Sequence, residues 1–469
     1  MNQEKYNEDL FSFIKNSPTQ YHAVANMAKS LSSNGFIELK EGDSWLIKDQ
    51  SKYFVTRNGS AIIAFFTGEN RPWESGIKLV CAHTDSPSLK IKPIPEIKTN
   101  DAIRLGVEVY GGVLLNSWFD RGLNLAGRVT ALSADDEEKE TLCTVLVNYD
   151  APLAVIPSLA IHLDREANTK RVLNPQVDMP PLFSISGQSK KSNINQLEKS
   201  DLQNRFDSSS SSTFLGSSIK SFKSLLLEQA IKENSNIHIK EVLDFDMSFS
   251  DAQPPFFTGL NQEIISAPRL DNLLSCHAGL KSLVRADGPV PCILVCTDHE
   301  EVGSDTSAGA RGSFLNSVLS RTIPDPEKKI RATTKSFMIS LDNAHALHPA
   351  HCDSHDSNHI PRLNHGPVLK VNASHRYASD SESAALFRYI CKLADIPLQT
   401  FVMRSDMPCG STIGPAMSSA TGIKTVDAGA PTLGMHAIRE LTGAGDPFMV
   451  FQVLNHFFYM ESQLLVSPT

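Results

Sequence analysis

The sequence predicts an α/β protein, a mixed sheet sandwiched by helices and interrupted by an inserted β-rich domain. Three observations predict it. Short apolar runs alternate with helically spaced segments after about residue 245, and similar runs precede residue 95. Between them lies a stretch of alternating apolar and polar residues that suits half-buried antiparallel strands. Residues 1–95 and 245–469 are therefore assigned to one discontinuous domain, and residues 96–244 to the insertion.

The chain opens with a helical reading over its first 40 or so residues, broken at Asn16-Ser17-Pro18-Thr19 and resumed from His22 to Leu31. Tyr53-Phe54-Val55, Ala61 to Phe66 and Ile77 to Cys81 then read as core strands. The insertion begins with Gly106 to Tyr110 and Gly127 to Thr130, both alternating. Asp135-Asp136-Glu137-Glu138-Lys139-Glu140 is a charge run expected at a hairpin tip. The Ser208 to Ser212 tract lies in a polar stretch from about Gly187 and reads as a loop or lid. Beyond it come the strands Cys292 to Cys296, Ser336 to Leu341 and Thr425 to Asp427, separated by helices such as Asp271 to Val284 and Ser381 to Ala394.

Composition excludes several classes of function. At 469 residues the chain is too long for one core, and a net charge of -8 argues against a nucleic-acid binder. No run approaches the roughly 18 apolar residues of a membrane span, and MNQEKYNEDL lacks the pattern of a signal peptide. Eight scattered cysteines, several inside apolar runs, read as reduced buried thiols, so a cytoplasmic location is expected. Cys292 and Cys296 are four apart in one strand without a second pair, which argues against a zinc-thiolate site.

Three apolar strands end in ligand-type side chains. One runs into His83-Thr84-Asp85, one into Glu300-Glu301 and one into Asp342-Asn343-Ala344-His345. In open α/β sheets the binding crevice lies outside the carboxyl ends of the strands, so these groups converge. Asp271, at a helix start, and His436, in the loop after the Thr425-Val426 strand, are two further candidates. Carboxylates and imidazoles without thiolates suit zinc first, with cobalt or manganese as alternatives. Two ions about 3.5–4 Å apart need a shared ligand and roughly two more each. His83, Asp271, Glu301, Asp342 and His436 supply enough groups if one carboxylate bridges. Glu300 is left over, and an unligated glutamate beside the metals suits a general base. Adjacent strand residues point to opposite faces, so Glu300 and Glu301 share a site only if the chain turns, for which Val302-Gly303-Ser304 is suited. Asp85 is placed to orient His83 through its second nitrogen.

A competing cluster is His345, His348, His351, His355, His359, His365 and His375. It contains Pro349 and Pro361 and lacks the His-Glu-x-x-His pattern, so it reads as a loop near the site, with a second metal site as the alternative. His345 and Met435, next to or near candidate ligands, are expected to touch substrate.

Several motifs together resemble the aspartyl aminopeptidase family. They are Ala82-His83-Thr84-Asp85-Ser86-Pro87, Ala267-Pro268-Arg269-Leu270-Asp271-Asn272, Glu300-Glu301-Val302-Gly303-Ser304 and Gly434-Met435-His436-Ala437-Ile438-Arg439-Glu440. Trp118-Phe119-Asp120-Arg121, Ile161-His162-Leu163 and Pro408 to Pro415 are similar to it too. The resemblance implies a di-zinc site with Asp271 bridging, His83 and Asp342 on one metal, and Glu301 and His436 on the other. It implies Glu300 as the base and Asp85 as its supporting acid, with peptides as substrates and N-terminal Asp or Glu preferred. It further implies an inserted dimerisation domain, a tetrahedral dodecamer, and a role for His162 in completing a neighbouring subunit's site. An acidic preference requires a cation in the first pocket. Lys370 is the first candidate, ahead of Arg404 and Arg376, against the reading of Lys370 as an edge-strand lysine facing water. Ser405, where relatives often carry asparagine, departs from the pattern, and residues 187–225 match it poorly. A vacuolar relative favours neutral side chains, which keeps a neutral-residue aminopeptidase open. A di-metal amidohydrolase of acylated amino acids is the enzyme alternative. A chaperone-like or metal-storage shell is the non-enzyme one, and it would have no need of Glu300.

Overall fold

A computed structural model of the chain describes residues 1–134, 139–185 and 221–460. Most of the charge run and the serine tract lie outside those residues.

A nine-stranded mixed sheet organises the larger unit. Its strands run in the order Ile37–Leu39, Lys52–Arg57, Ala61–Phe66, Cys292–Thr297, Lys78–His83, Phe337–Leu341, Lys424–Gly429, Val368–Val371, Gln399–Val402. Cys292–Thr297, Lys78–His83, Phe337–Leu341 and Lys424–Gly429 are mutually parallel neighbours. Ala61–Phe66, Lys78–His83 and Cys292–Thr297 are buried along their whole length. That is why they read as continuous apolar runs: a strand covered on both faces has no wet side to alternate with.

Helices cover each face. On one, Leu10, Ile14, Val24, Met27, Leu274, Leu283, Val450 and Phe457 pack on Phe54, Val80, Leu294 and Ile339. On the other, Phe314, Leu315, Val318 and Met417 pack on Val55, Ile63, Leu79, Val295 and Met338. Leu79 and Val80 are successive residues on opposite faces, as the pleat requires. Arg269 ties the N-terminal helix pair to the helix Leu270–Val284. Its guanidinium donates to the carbonyls of Ile14 at 3.0 Å and Ser17 at 3.2 Å, at and just past the end of the first helix.

A second, five-stranded sheet belongs to the same unit, in the order Phe256–Thr258, Ile264–Ala267, Glu440–Gly443, Pro431–Leu433, Ala344–His345. The loop between its strands Pro431–Leu433 and Glu440–Gly443 carries His436.

The smaller unit comprises Lys90–Glu108 and Phe119–Phe249. Its six-stranded sheet includes the long hairpin Leu123–Ala134 with Glu140–Asn148, and the helix Phe222–Glu233 follows in sequence. One segment departs from the sequence reading. Val109–Trp118, inside the expected insertion, is part of the larger unit. Its hydrogen bonds run to Asp85 and to the His436 loop, which is the physical reason. No helix among the described residues is long and apolar enough to cross a membrane.

Candidate metal centre

The parallel strands are in register, with Thr297 paired to His83 and Ser340 to Cys81, so their carboxyl ends are level. His83 is the last residue of its strand, and Asp342 follows the end of Phe337–Leu341. After Thr297 the chain turns: His299 and Gly303 are left-handed at φ 62° and 98° and bracket a single 3₁₀ turn, Glu300–Val302. This turn, beginning earlier than the sequence suggested, lets two adjacent glutamates serve one site. The five-stranded sheet supplies the opposite wall, placing Asp271 just beyond Ala267 and His436 in its hairpin.

Asp271 faces two pairs of side chains. Its Oδ1 is 3.4 Å from His83 Nε2, which is 3.8 Å from Asp342 Oδ1. Its Oδ2 is 3.8 Å from His436 Nε2, which is 3.4 Å from Glu301 Oε2. Ligands 2.0–2.1 Å from a tetrahedral zinc stand about 3.3–3.4 Å from one another, so both groupings have the spacing of a coordination sphere. Ligand atoms of His83, Asp271 and Glu301 all lie within 4.8 Å of one another. Asp271 Oδ1 is also buried without a hydrogen-bond partner, a costly state that a cation would relieve.

Charge points the same way. Asp85, Asp271, Glu300, Glu301 and Asp342 share this interior with the ammonium of Lys370, which is 3 % exposed. With Glu440 beside Asp271 and His436 there are six buried carboxylates against one lysine, an excess of negative charge that divalent cations would offset. Burial and then Asp271 push the Glu301 carboxyl well up. Burial also raises Glu300, to about 8, with His83 opposing and Asp342 and Asp85 adding to the rise. A nearby dication would pull both down again.

Both imidazoles are held by their Nδ1 atoms. His83 Nδ1 faces the carbonyl of Asp85 at 3.1 Å, and His436 Nδ1 the carbonyl of Gly112 at 3.1 Å. A carbonyl only accepts, so each Nδ1 carries a proton and each Nε2 is the ring atom turned to the carboxylates, where it could bind an ion held between them. Asp85 is itself fixed, accepting from the amides of Glu300 and Glu301 at 3.1 Å each and from the Tyr110 hydroxyl at 2.7 Å.

Two residues here escaped the sequence reading of the site. Tyr110 had no signal beyond its strand. Glu440 closed a quoted motif but was given no role. Its Oε2 accepts from the Asp271 amide at 2.8 Å and its Oε1 from the His436 amide at 2.7 Å. One buried carboxylate therefore positions the backbone of two candidate ligands.

Residues 13–458 match the family described as Aminopeptidase I zinc metalloprotease (M18). The chain belongs to the M18 family of zinc metallo-aminopeptidases. It is 46% identical over 453 residues to a probable M18 family aminopeptidase 2 of Azotobacter vinelandii, covering 96% of this chain and 97% of that one. The counterpart in Pseudomonas aeruginosa is 46% identical over 458 residues, covering 98% and 99%. Among solved structures, a cryo-electron microscopy structure of an Ape4 and Nbr1 complex is 34% identical with a TM-score of 0.86, covering 97% of this chain and 86% of that one. An mApe1 dodecamer of S. cerevisiae is 26% identical with a TM-score of 0.78, covering 97% and 96%. M18 is the aspartyl aminopeptidase family, so the resemblance carried by the motifs holds.

Other residues singled out in the sequence of this M18 aminopeptidase fall in different places. Lys370 is not an edge lysine facing water. It lies on a buried strand second from the sheet edge, donates to the Asn343 carbonyl at 2.8 Å and stands 3.3 Å from Asp342 Oδ2. Burial opposes charge on Asp342, but Lys370 and then His83 hold its carboxyl below the usual range. Arg404 is partly exposed and turned to Asp406, with both carboxylate oxygens within 2.9 Å, and Arg376 is exposed. His345 is solvent-accessible, with its ring edge-on to Phe401 at 5.6 Å, and Met435 is half-buried beside His436. His162 is exposed in a turn of the smaller unit.

Between the strands Ala344–His345 and Val368–Val371 the histidine-rich stretch is a loop with one 3₁₀ turn at Cys352–Ser354. His348 and His351 lie 4.7 Å apart, and the His348 amide donates to His355 Nε2 at 3.2 Å. Among the described residues, the group with metal-binding geometry is His83, Asp271 and Glu301, not this loop. Cys292 and Cys296 are buried free thiols.

Proposed function

We propose that this aminopeptidase removes N-terminal residues, Asp and Glu by preference, using two divalent ions and Glu300 as general base. The observation that carries it is the arrangement about Asp271, whose two oxygens face His83 with Asp342 and His436 with Glu301. His83 and Asp342 would hold one ion, Glu301 and His436 the other, and Asp271 both; zinc is the first choice, with cobalt or manganese possible. Bound there, such ions polarise a carbonyl and acidify water. Glu300 takes the proton from the attacking water and returns it to the departing amine, a role worth typically 10²- to 10⁴-fold. Asp85 keeps Glu300 in place through its amide and His83 through Nδ1. His345 and Met435 are assigned to substrate contact beside this centre.

The acidic preference assigns a cation to the first pocket, Lys370 ahead of Arg404 and Arg376. The partners Lys370 and Arg404 already have favour a second reading, a neutral-residue (Leu-type) aminopeptidase of the same family. Aspartyl, glutamyl and leucyl p-nitroanilides, assayed with defined metals, separate the two. A free-amine dipeptide compared with its N-acylated form separates both from a di-metal amidohydrolase. Turnover of the acylated form alone would refute the aminopeptidase assignment of the substrate.

We further assign this chain to a homo-oligomer, a tetrahedral dodecamer built from dimers, with the smaller unit, residues 96–244 in the sequence reading, as the dimerisation domain. Leu159, Ile161 and Leu163 are exposed around His162, which is assigned to a neighbouring copy's site. The similarity to an mApe1 dodecamer supports this assembly. The protein is assigned to the cytoplasm, with its cysteines reduced. A native mass measurement tests the assembly, and a monomer mass would refute it.

A further inference from the structure

The segment Val109–Trp118 supplies no group that the proposed reaction uses, yet it grips the centre at several points. The Tyr110 hydroxyl donates to Asp85 Oδ2 at 2.7 Å, the same oxygen that accepts the Glu301 amide at 3.1 Å. The Gly112 carbonyl faces His436 Nδ1 at 3.1 Å, and the Leu114 amide donates to the His436 carbonyl at 3.0 Å. Ser117 Oγ accepts from the Ile438 amide at 3.0 Å, two residues further along the same loop.

The two glycines explain how a backbone comes so close. Gly111 has φ +73°, and a Cβ there would stand 3.0 Å from Glu301 Cβ. A Cβ on Gly112 would stand 3.1 Å from His436 Nδ1. A side chain at either position would force the strap or the ligand it faces to give by a few tenths of an ångström, and at Gly111 it would also meet a left-handed backbone. These close approaches are to Glu301 and His436, one of the two ligand pairs around Asp271. The carbonyl of Gly112 fixes which His436 nitrogen bears the proton, and so which one is free to bind an ion. Both flanking residues, Glu108 and Phe119, belong to the smaller unit, so the strap interrupts that unit's sequence once.

We propose that the Val109–Trp118 strap is a positioning element of the centre, through which Gly112 and Ser117 set the affinity for the ion held by Glu301 and His436. The inference rests on the two-ion reading. It predicts that the two ions can be weakened separately, the contacts of Gly112 and Ser117 with the His436 loop acting on one alone.

The test uses full-length protein stripped with chelator, then equilibrated across zinc-buffered solutions and analysed for bound zinc per chain. The parent should take up two ions. Gly112→Ala should weaken one of them about 10- to 100-fold, the usual effect of disturbing a group that orients a ligand, and leave the other within about twofold. Ser117→Ala removes the acceptor of the Ile438 amide in the same loop and should weaken the same ion by a smaller factor. Circular dichroism and the melting temperature of the stripped variants establish that they fold; should Gly112→Ala fail to, Ser117→Ala decides alone. Two ions in the parent, with the folded variants binding both at parental affinity or losing both equally, would overturn the role of the strap and leave the two-ion reading standing. A parent that binds a single ion would overturn the two-ion reading and this inference with it.

Discussion

Replacing Glu440 by glutamine should loosen the centre although no candidate metal ligand is touched. Each oxygen of Glu440 accepts one backbone amide, that of Asp271 at 2.8 Å and that of His436 at 2.7 Å, at a residue only 2 % exposed. Glutamine has a single oxygen, so one amide must face an NH₂ group that offers no acceptor. A buried donor left unmet costs about 1–3 kcal/mol. Alanine leaves both unmet, for about 2–6 kcal/mol by the same reasoning. Burial and then Asp271 raise the Glu440 carboxyl to about 8, and a dication held by Asp271 would lower it again. Urea unfolding of chelator-treated parent, Glu440→Gln and Glu440→Ala should rank them in that order. Zinc affinity should fall about 10- to 100-fold in the glutamine variant, because the backbone that carries two ligands shifts. A glutamine variant within about 0.5 kcal/mol of the parent, with unchanged zinc affinity, would refute the reasoning; it would mean that the amides find other acceptors.

Other expectations follow from the same geometry. Glu300→Gln should keep its zinc while kcat falls about 10²- to 10⁴-fold, and near-parental turnover would remove Glu300 from the role of base. Chelation should abolish activity and zinc should restore it in the parent but not in Asp271→Ala, which elemental analysis should find depleted of metal. Asp9 joins the first helix to His277 at 2.9 Å and Lys281 at 2.6 Å. Burial opposes its charge, but these two partners lower its pKa from 3.8 to about 2. A depressed carboxylate stabilises the fold above its unfolded pKa and loses that contribution as pH falls toward the folded value. The shift corresponds to about 2.5 kcal/mol at 1.36 kcal/mol per unit, reduced to about 1 kcal/mol because the side chain is 39% exposed. The urea midpoint gap between parent and Asp9→Asn should therefore be constant at neutral pH and close between pH 4 and 2; a gap that widens there would contradict it.

Much of the centre was legible because its side chains follow apolar strands. His83, Asp342 and the two glutamates each sit at or just after the carboxyl end of a run that reads unambiguously as buried. Asp271 and His436 were legible by residue type and position, but the sheet that carries them was not. Its strands are two to four residues long, too short for a periodicity to register. Contacts between distant segments leave no local trace. Gly112 and His436 are 324 positions apart, and a Tyr-Gly-Gly sequence at the end of a strand reads as a turn. The insertion boundary erred for the same reason, since nothing in residues 109–118 announces that they cross to another unit. Lys370 shows the limit from the other side. A lysine in a four-residue strand suggests a wet edge, and only the carboxylate of Asp342 explains why it is buried.

The bracing of Asp271 and His436 by Glu440 has a consequence for synthesis. A ribosome that has reached Leu433 has made His83, Asp271, Glu300, Glu301 and Asp342, yet not the residue that accepts the Asp271 amide, nor the second imidazole. A nascent chain therefore carries most of a peptide-cleaving centre without the brace and the ligand that complete it. The proposed centre is completed only once residues 434–440 have been added.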